Sequence, residues 1–111
     1  MARAADLARG QVWFAAWDAD IGRHPVVLVS RTAIMRRRWR ATVATVTSIM
    51  HGLSSEVPIG PAEGLEGDSV IDCEDLYTVT IDQLAQYLGV LEPPTLQAVD
   101  AALRVALDLG P

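Results

Sequence analysis

Lysine is absent from this chain of 111 residues, and all nine basic residues are arginine. A GC-rich coding bias accounts for that without a functional cause, although arginine grips phosphate in a two-pronged geometry that lysine does not match. Cysteine occurs once, at Cys73, which excludes an intrachain disulfide framework and fits a reducing cytosol. The two histidines, His24 and His51, form no zinc-ligand spacing with Cys73. The acids of Asp72-Cys73-Glu74-Asp75 are adjacent rather than spaced as in a calcium loop. Glycine-rich phosphate loops, dinucleotide fingerprints and serine-hydrolase elbows are missing too. No metal and no cofactor is therefore expected. No run approaches the roughly 18 apolar residues of a membrane span, and Arg3, Asp6 and Arg9 break up the N-terminus as a signal peptide. The expectation is a soluble, cytoplasmic protein.

What is present suits one small domain. Half the residues are hydrophobic and the mean hydropathy is +0.23, which argues against disorder. A chain this short has one core and welcomes a dimer interface. The net charge of −5 conceals an asymmetry. Residues 1–51 carry eight arginines against three acids, a net +5, while residues 52–111 carry one arginine against eleven acids, a net −10. The basic half says more about partners than the bulk charge does.

Ala2 to Arg9 reads as a helical turn or a flexible leader, with the domain proper starting at residue 9. Gln11 to Trp17 is rich in aromatic and β-branched residues and predicts a first strand. Asp18 to Gly22 is turn-like. Pro25 suits the first position of a strand, pushes His24 into extended conformation, and precedes the unbroken apolar run Val26 to Val29. That run predicts a strand buried on both faces, antiparallel to the first because the connection is short. Arg31 to Arg40 reads as a loop, and Ala41 to Ser48 as a third strand. Ser55 to Ile59 is a short strand that Pro58 pushes to an edge. Gly60 to Asp68 is a loop. Ser69 to Cys73 and Leu76 to Val79 read as two further strands. Asp82 to Leu88 fits a helix, or Tyr87 to Leu91 a strand. Pro93-Pro94-Thr95 opens a helix with Thr95 as N-cap, Leu96, Val99, Leu103 and Leu107 facing the core, and Gly110 ending it. Strands followed by one terminal helix indicate a small, mainly antiparallel α+β or barrel-like domain.

Two clusters carry candidate chemistry. Arg31, Arg36, Arg37, Arg38 and Arg40 surround Trp39, a mixture of phosphate-seeking guanidinium groups and a stacking surface that suits single-stranded nucleic acid. The same run reads equally as a solvated connection. Trp17 is a second stacking platform or a core residue. Arg23 and His24 flank a turn, and Thr47 ends a strand that can lie beside Val26 to Val29. A basic group beside a threonine hydroxyl at neighbouring strand ends makes a phosphodiester site, and two surface residues at a turn make the other reading.

Four segments in order resemble the MazF/PemK toxins, the endoribonucleases of bacterial toxin–antitoxin pairs. They are Arg9 to Phe14, Gly22 to Ser30, Val43 to Thr47 and Asp68 to Val79, and the likeness extends from about Arg9 to Leu109. The resemblance implies a small twisted antiparallel β-barrel, SH3-like, with a C-terminal helix, assembled as a homodimer, and it favours the strand at Tyr87 to Leu91. It implies metal-independent cleavage of single-stranded RNA to 2′,3′-cyclic phosphate and 5′-OH ends. It also implies a MazE-like antitoxin whose disordered segment occupies the RNA groove.

The family's two principal catalytic residues are an arginine directly before the strand proline and a threonine ending the third strand. Thr47 matches the second. The first slot holds His24, and Arg23 stands one residue early. Extended neighbours point to opposite sides, so the two do not share one position. The expectation is His24 as general acid or base, Arg23 on the phosphate and Thr47 on a phosphate oxygen. Trp17, Arg31, Arg36, Arg37, Arg38, Trp39, Arg40 and Ser48 are expected to contact RNA. Family members often carry a longer, glycine-rich flap than Asp18 to Gly22, and the Arg31 to Arg40 segment is expected to take over part of its role. Two other readings stand beside the nuclease: a gyrase-poisoning binder of the same fold, like CcdB, and a degenerate, inactive homologue.

Overall fold

The structure is a computed structural model, and it describes residues 7–17 and 22–110. The turn-like segment 18–21 and most of the leader fall outside the described residues. Eight main elements follow one another: β1 (Gln11–Ala16), β2 (Arg23–Leu28), α1 (Thr32–Arg38), β3 (Arg40–Thr47), β4 (Glu56–Ile59), β5 (Ser69–Thr80), β6 (Leu84–Val90) and α2 (Pro93–Ala106). The strands form one antiparallel sheet in the order β4-β5-β3-β2-β1-β6. Pro58 sits in β4, on an edge where its missing N–H costs no ladder bond.

The sheet curls, and its two edges are bridged by the chain between β4 and β5. A single 3₁₀ turn at Pro61–Glu63 leads into Gly64, whose φ is +90°. A Cβ there would stand 2.2 Å from the Leu88 carbonyl oxygen, and one on Gly89 would stand 2.8 Å from that of Glu63. Two glycines thus let the loop backbone lie directly on β6.

Alternation along the strands separates two apolar clusters. Trp13, Ala15, Val26, Leu28, Ala41, Val43 and Val79 pack on one face with Leu7 and Met35. Val12, Val27, Ala44, Val46, Ile71 and Cys73 pack on the other, under Val99 and Ala102 of α2. Val26, Val27 and Leu28 are all fully buried, as their unbroken apolar run predicts.

Five local expectations are corrected. Pro25 is the third residue of β2 and not its first, since Arg23 and His24 already pair with Ala16 and Ala15 of β1. The Arg31 to Arg40 segment is not a loop, because Thr32–Arg38 is helical, with Met35 buried. Ala, Met and Arg favour helix, the three arginines in the last turn complement the helix dipole, and Trp39 closes it in the left-handed region with φ 55°. The two strands expected between Ser69 and Val79 are one, β5, with an irregularity in its middle. The α2 N-cap is Glu92 rather than Thr95, since the prolines occupy the first helical positions, where a missing N–H costs nothing. The helix ends at Ala106, before Gly110, and Leu107 is 52% exposed instead of core-facing. Asp100 ties α2 to the start of the domain, since the Arg9 guanidinium pairs with it at 2.7 Å and donates to the Val29 carbonyl at 2.7 Å.

Candidate active site

β2 and β3 are joined by the register Val26↔Thr45, Val27↔Ala44 and Leu28↔Val43. Continued by two residues, that register sets His24 opposite Thr47. Alternation then gives both side chains the face of Val26 and Val43, and gives Arg23 and Pro25 the other face. The contacts agree with this division. The Arg23 guanidinium lies over the Phe14 ring, 5.3 Å from its centre, and donates to Gln86 Oε1 at 3.2 Å. His24 meets Trp17 edge to face at 6.0 Å.

Two cavities share this strand end. The first, of about 300 Å³, is lined by Trp17, His24, Thr45, Val46, Thr47, Asp75 and Tyr77. The second, of about 680 Å³, is lined by Phe14, His24, Pro25, Val46, Thr47, Ser48, Gln86, Leu88 and residues 64–69. His24 and Thr47 border both. The Thr47 hydroxyl oxygen accepts the Ile49 N–H at 3.1 Å, which orients it and leaves its own proton to donate. Arg23 flanks the larger cavity through Phe14 and Gln86.

The first cavity has residues that the sequence reading did not single out. In the β3–β5 ladder Ala44 pairs with Leu76, but the next residue, Thr45, pairs with Asp72. The segment 73–75 is therefore extra, a bulge that re-aims the chain. It is pinned by Cys73 N–H to the Ser55 carbonyl at 3.0 Å and Glu74 N–H to Asp72 Oδ1 at 3.0 Å. It carries Asp75 to the Thr45 hydroxyl, which donates to Asp75 Oδ2 at 2.7 Å. A hydrogen bond from Tyr77 to Asp75, and the carboxylate's charge, raise the Tyr77 phenol above its usual pKa. Trp17 and Tyr77 stand edge to face at 5.9 Å. The only signal in the sequence was the break in strand character at Glu74-Asp75.

The arginine-rich segment is elsewhere. Arg40 begins β3 and Thr47 ends it, roughly 23 Å apart along an extended strand. Arg31, Arg36, Arg37 and Arg38 are exposed, and Arg36 donates to the Leu7 carbonyl at 3.1 Å. Arg38 and Arg40 border a separate cavity of about 360 Å³ with Ser30, Thr42 and Thr78. Trp39 packs against the first core cluster, and its indole N–H donates to Asp82 at 3.1 Å. The structure therefore brings Trp17, His24, Thr47 and Ser48 together, puts Arg23 on the adjoining rim, and leaves the segment 31–40 apart. Among the described residues, no three His, Cys, Asp or Glu side chains are grouped so as to hold a metal ion. No helix among them is long and apolar enough to cross a membrane.

Comparison with known proteins decides the family. The model of the PemK-like, MazF-like toxin of type II toxin–antitoxin systems matches residues 8–107. The chain belongs to that family. It is 38% identical over 102 residues to the probable endoribonuclease MazF5 of Mycobacterium tuberculosis, covering 91% of this chain and 93% of the relative. It is 31% identical over 85 residues to endoribonuclease MazF3 of the same species, covering 77% and 82%. Among solved structures, the Mycobacterium tuberculosis toxin MazF-mt6 superposes with a TM-score of 0.83 at 27% identity, covering 90% of this chain and 98% of that one. An endoribonuclease in complex with its cognate antitoxin, from a mycobacterial species, has the same TM-score at 29% identity, covering 94% and 97%. The fold is thus that of a MazF toxin: a curled six-stranded antiparallel sheet with a C-terminal helix.

Proposed function

We propose that this MazF-type toxin is an endoribonuclease that cuts single-stranded RNA at the ridge between the two cavities. The observation that carries the reading is the placement of His24 and Thr47 on one face, at adjacent strand ends, bordering both cavities. A phosphate on the ridge would have a nucleotide on either side. The 2′-oxygen attacks the adjacent phosphorus and the 5′-oxygen leaves, giving a 2′,3′-cyclic phosphate and a 5′-OH. The nucleophile is part of the substrate, so the protein has only to move protons and stabilise charge. The His24 imidazole exchanges the proton, which a guanidinium, always charged, does not do. The Thr47 hydroxyl donates to a non-bridging oxygen, and Arg23 approaches the same phosphate from the larger cavity. The arginines of α1 hold the flanking strand by its phosphates.

The partner follows from the family: a MazE-like antitoxin whose extended segment covers the same groove, with the toxin acting in the cytoplasm as a homodimer. Exposed apolar residues between β3 and β4, Ile49, Met50 and Leu53, support a partner surface on this molecule. The test is to incubate the purified chain with unstructured RNA in excess EDTA and map the ends. Cleavage leaving 5′-OH termini is expected. Intact RNA would overturn the reading in favour of a binding toxin or an inactive homologue.

A further inference from the structure

A carboxylate in a cavity beside the cleaved phosphate is out of place for gripping RNA by its backbone. Asp75 repels a phosphate at the short distances this cavity allows. Yet the fold goes out of its way to put it there: the bulge at 73–75 breaks the β3–β5 register, and Thr45 holds one carboxylate oxygen at 2.7 Å. The surrounding walls are the Trp17 and Tyr77 rings, 5.9 Å apart edge to face. At about 300 Å³ the cavity is at the small end for a ligand pocket and suits one planar ring better than a length of chain.

We infer that the cavity of Trp17, Thr45, Asp75 and Tyr77 is a nucleobase pocket, in which Asp75 admits a base bearing an exocyclic amino group and rejects uracil. The inference rests on the endoribonuclease reading above and names what that site selects. Unpaired bases are bound by stacking on aromatic side chains and by hydrogen bonds to their polar edges. An ionised carboxylate only accepts, with about four acceptor positions, of which the Thr45 hydroxyl occupies one. Adenine, cytosine and guanine each bring an amino group to the remaining positions. Uracil has no amino group: its one edge donor, N3–H, is flanked by two carbonyl oxygens, so a carboxylate accepting from it meets a carbonyl oxygen where the other bases bring an amino group. A site built to accept from a base loses heavily when the donor is missing.

The test reads ratios of cleavage rates. Wild-type protein is given short RNAs that differ only at the positions bordering the cleaved bond. At one of these positions uracil should be cut roughly ten- to hundredfold more slowly than an amino-bearing base. Purine riboside, which is adenosine without its amino group, should reproduce that loss at the same position. Asp75→Asn, whose amide can donate to a carbonyl, should collapse the ratio toward one. If Asp75→Asn lacks a cooperative melt, Thr45→Val, which removes the bond that orients Asp75, should lower the ratio severalfold. Wild-type cleavage indifferent to uracil at every bordering position would overturn the pocket, as would a ratio unmoved in the folded variant. RNA left intact by wild type would overturn the nuclease reading itself, which keeps the two failures distinct.

Discussion

His24 stands opposite Thr47, two residues beyond the last paired step of β2 and β3, while Arg23 is turned to the other face over Phe14. β2 already pairs with β1 at Arg23 and His24, so both residues are extended and alternation along the strand makes this division. The residue in the slot before the proline is the one that shares cavities with the threonine, and here it is a histidine.

Replacing His24 by Ala should therefore slow RNA cleavage by about 10² to 10⁴, the usual contribution of a positioned acid or base. It should also remove the corresponding limb of the pH–rate profile. Thr47→Ala, which removes one donor to the phosphate, should cost about 10² with the profile's shape kept. Full activity of His24→Ala with an unchanged profile would show that the proton is handled elsewhere.

The arginines of α1 lie at the far end of β3 from Thr47, so they meet the RNA away from the cleaved bond. Neutralising Arg36, Arg37 and Arg38 together should weaken RNA binding and flatten its dependence on salt by up to roughly two log units per log unit of salt. The single-turnover rate at saturation should change far less. Arg36→Ala also removes the bond to the Leu7 carbonyl, so a thermal melt is the control. An unchanged salt slope would remove these residues from the RNA path.

How much of this was legible beforehand differs by element. The order of strands, the edge position of β4 and the buried β2 run follow from β-branched composition and proline chemistry, which are local. The His24–Thr47 pairing followed from the same logic plus one register. Helix α1 was missed because seven residues are too few for periodicity, and its formation depends on Met35 reaching a core that the sequence does not display. Asp75 and Tyr77 were missed because a bulge has no composition of its own: only the β3–β5 ladder shows three residues opposite one step.

Cys73 is fully buried, and burial, followed by the Asp72 charge, pushes its thiol up from 9.0 to about 11. The native thiol should resist a disulfide exchange reagent at pH 8 and react fully once the chain is denatured. The fold favours the protonated thiol. Its contribution to stability is therefore complete below pH 9 and is lost as pH rises toward 11. The denaturation midpoint should fall over that window, and part of the fall should vanish in Cys73→Ala. Rapid labelling of folded protein would contradict the buried placement.

Gly64 gives the most severe backbone test. Its φ of +90° is costly for any other residue, and a Cβ would collide with the Leu88 carbonyl at 2.2 Å, a rigid backbone atom. Gly64→Ala should cost about 3 kcal/mol, combining strain with displacement of the loop from β6. For a domain of this size that lowers the melting temperature by about 10 °C or more. Because residues 64–69 wall the larger cavity, RNA affinity should fall with it. Gly67→Ala is the matched control: it lies in the same wall, and its added Cβ meets nothing within 4 Å. Equal melting temperatures for the two variants would mean that the loop is not seated on β6.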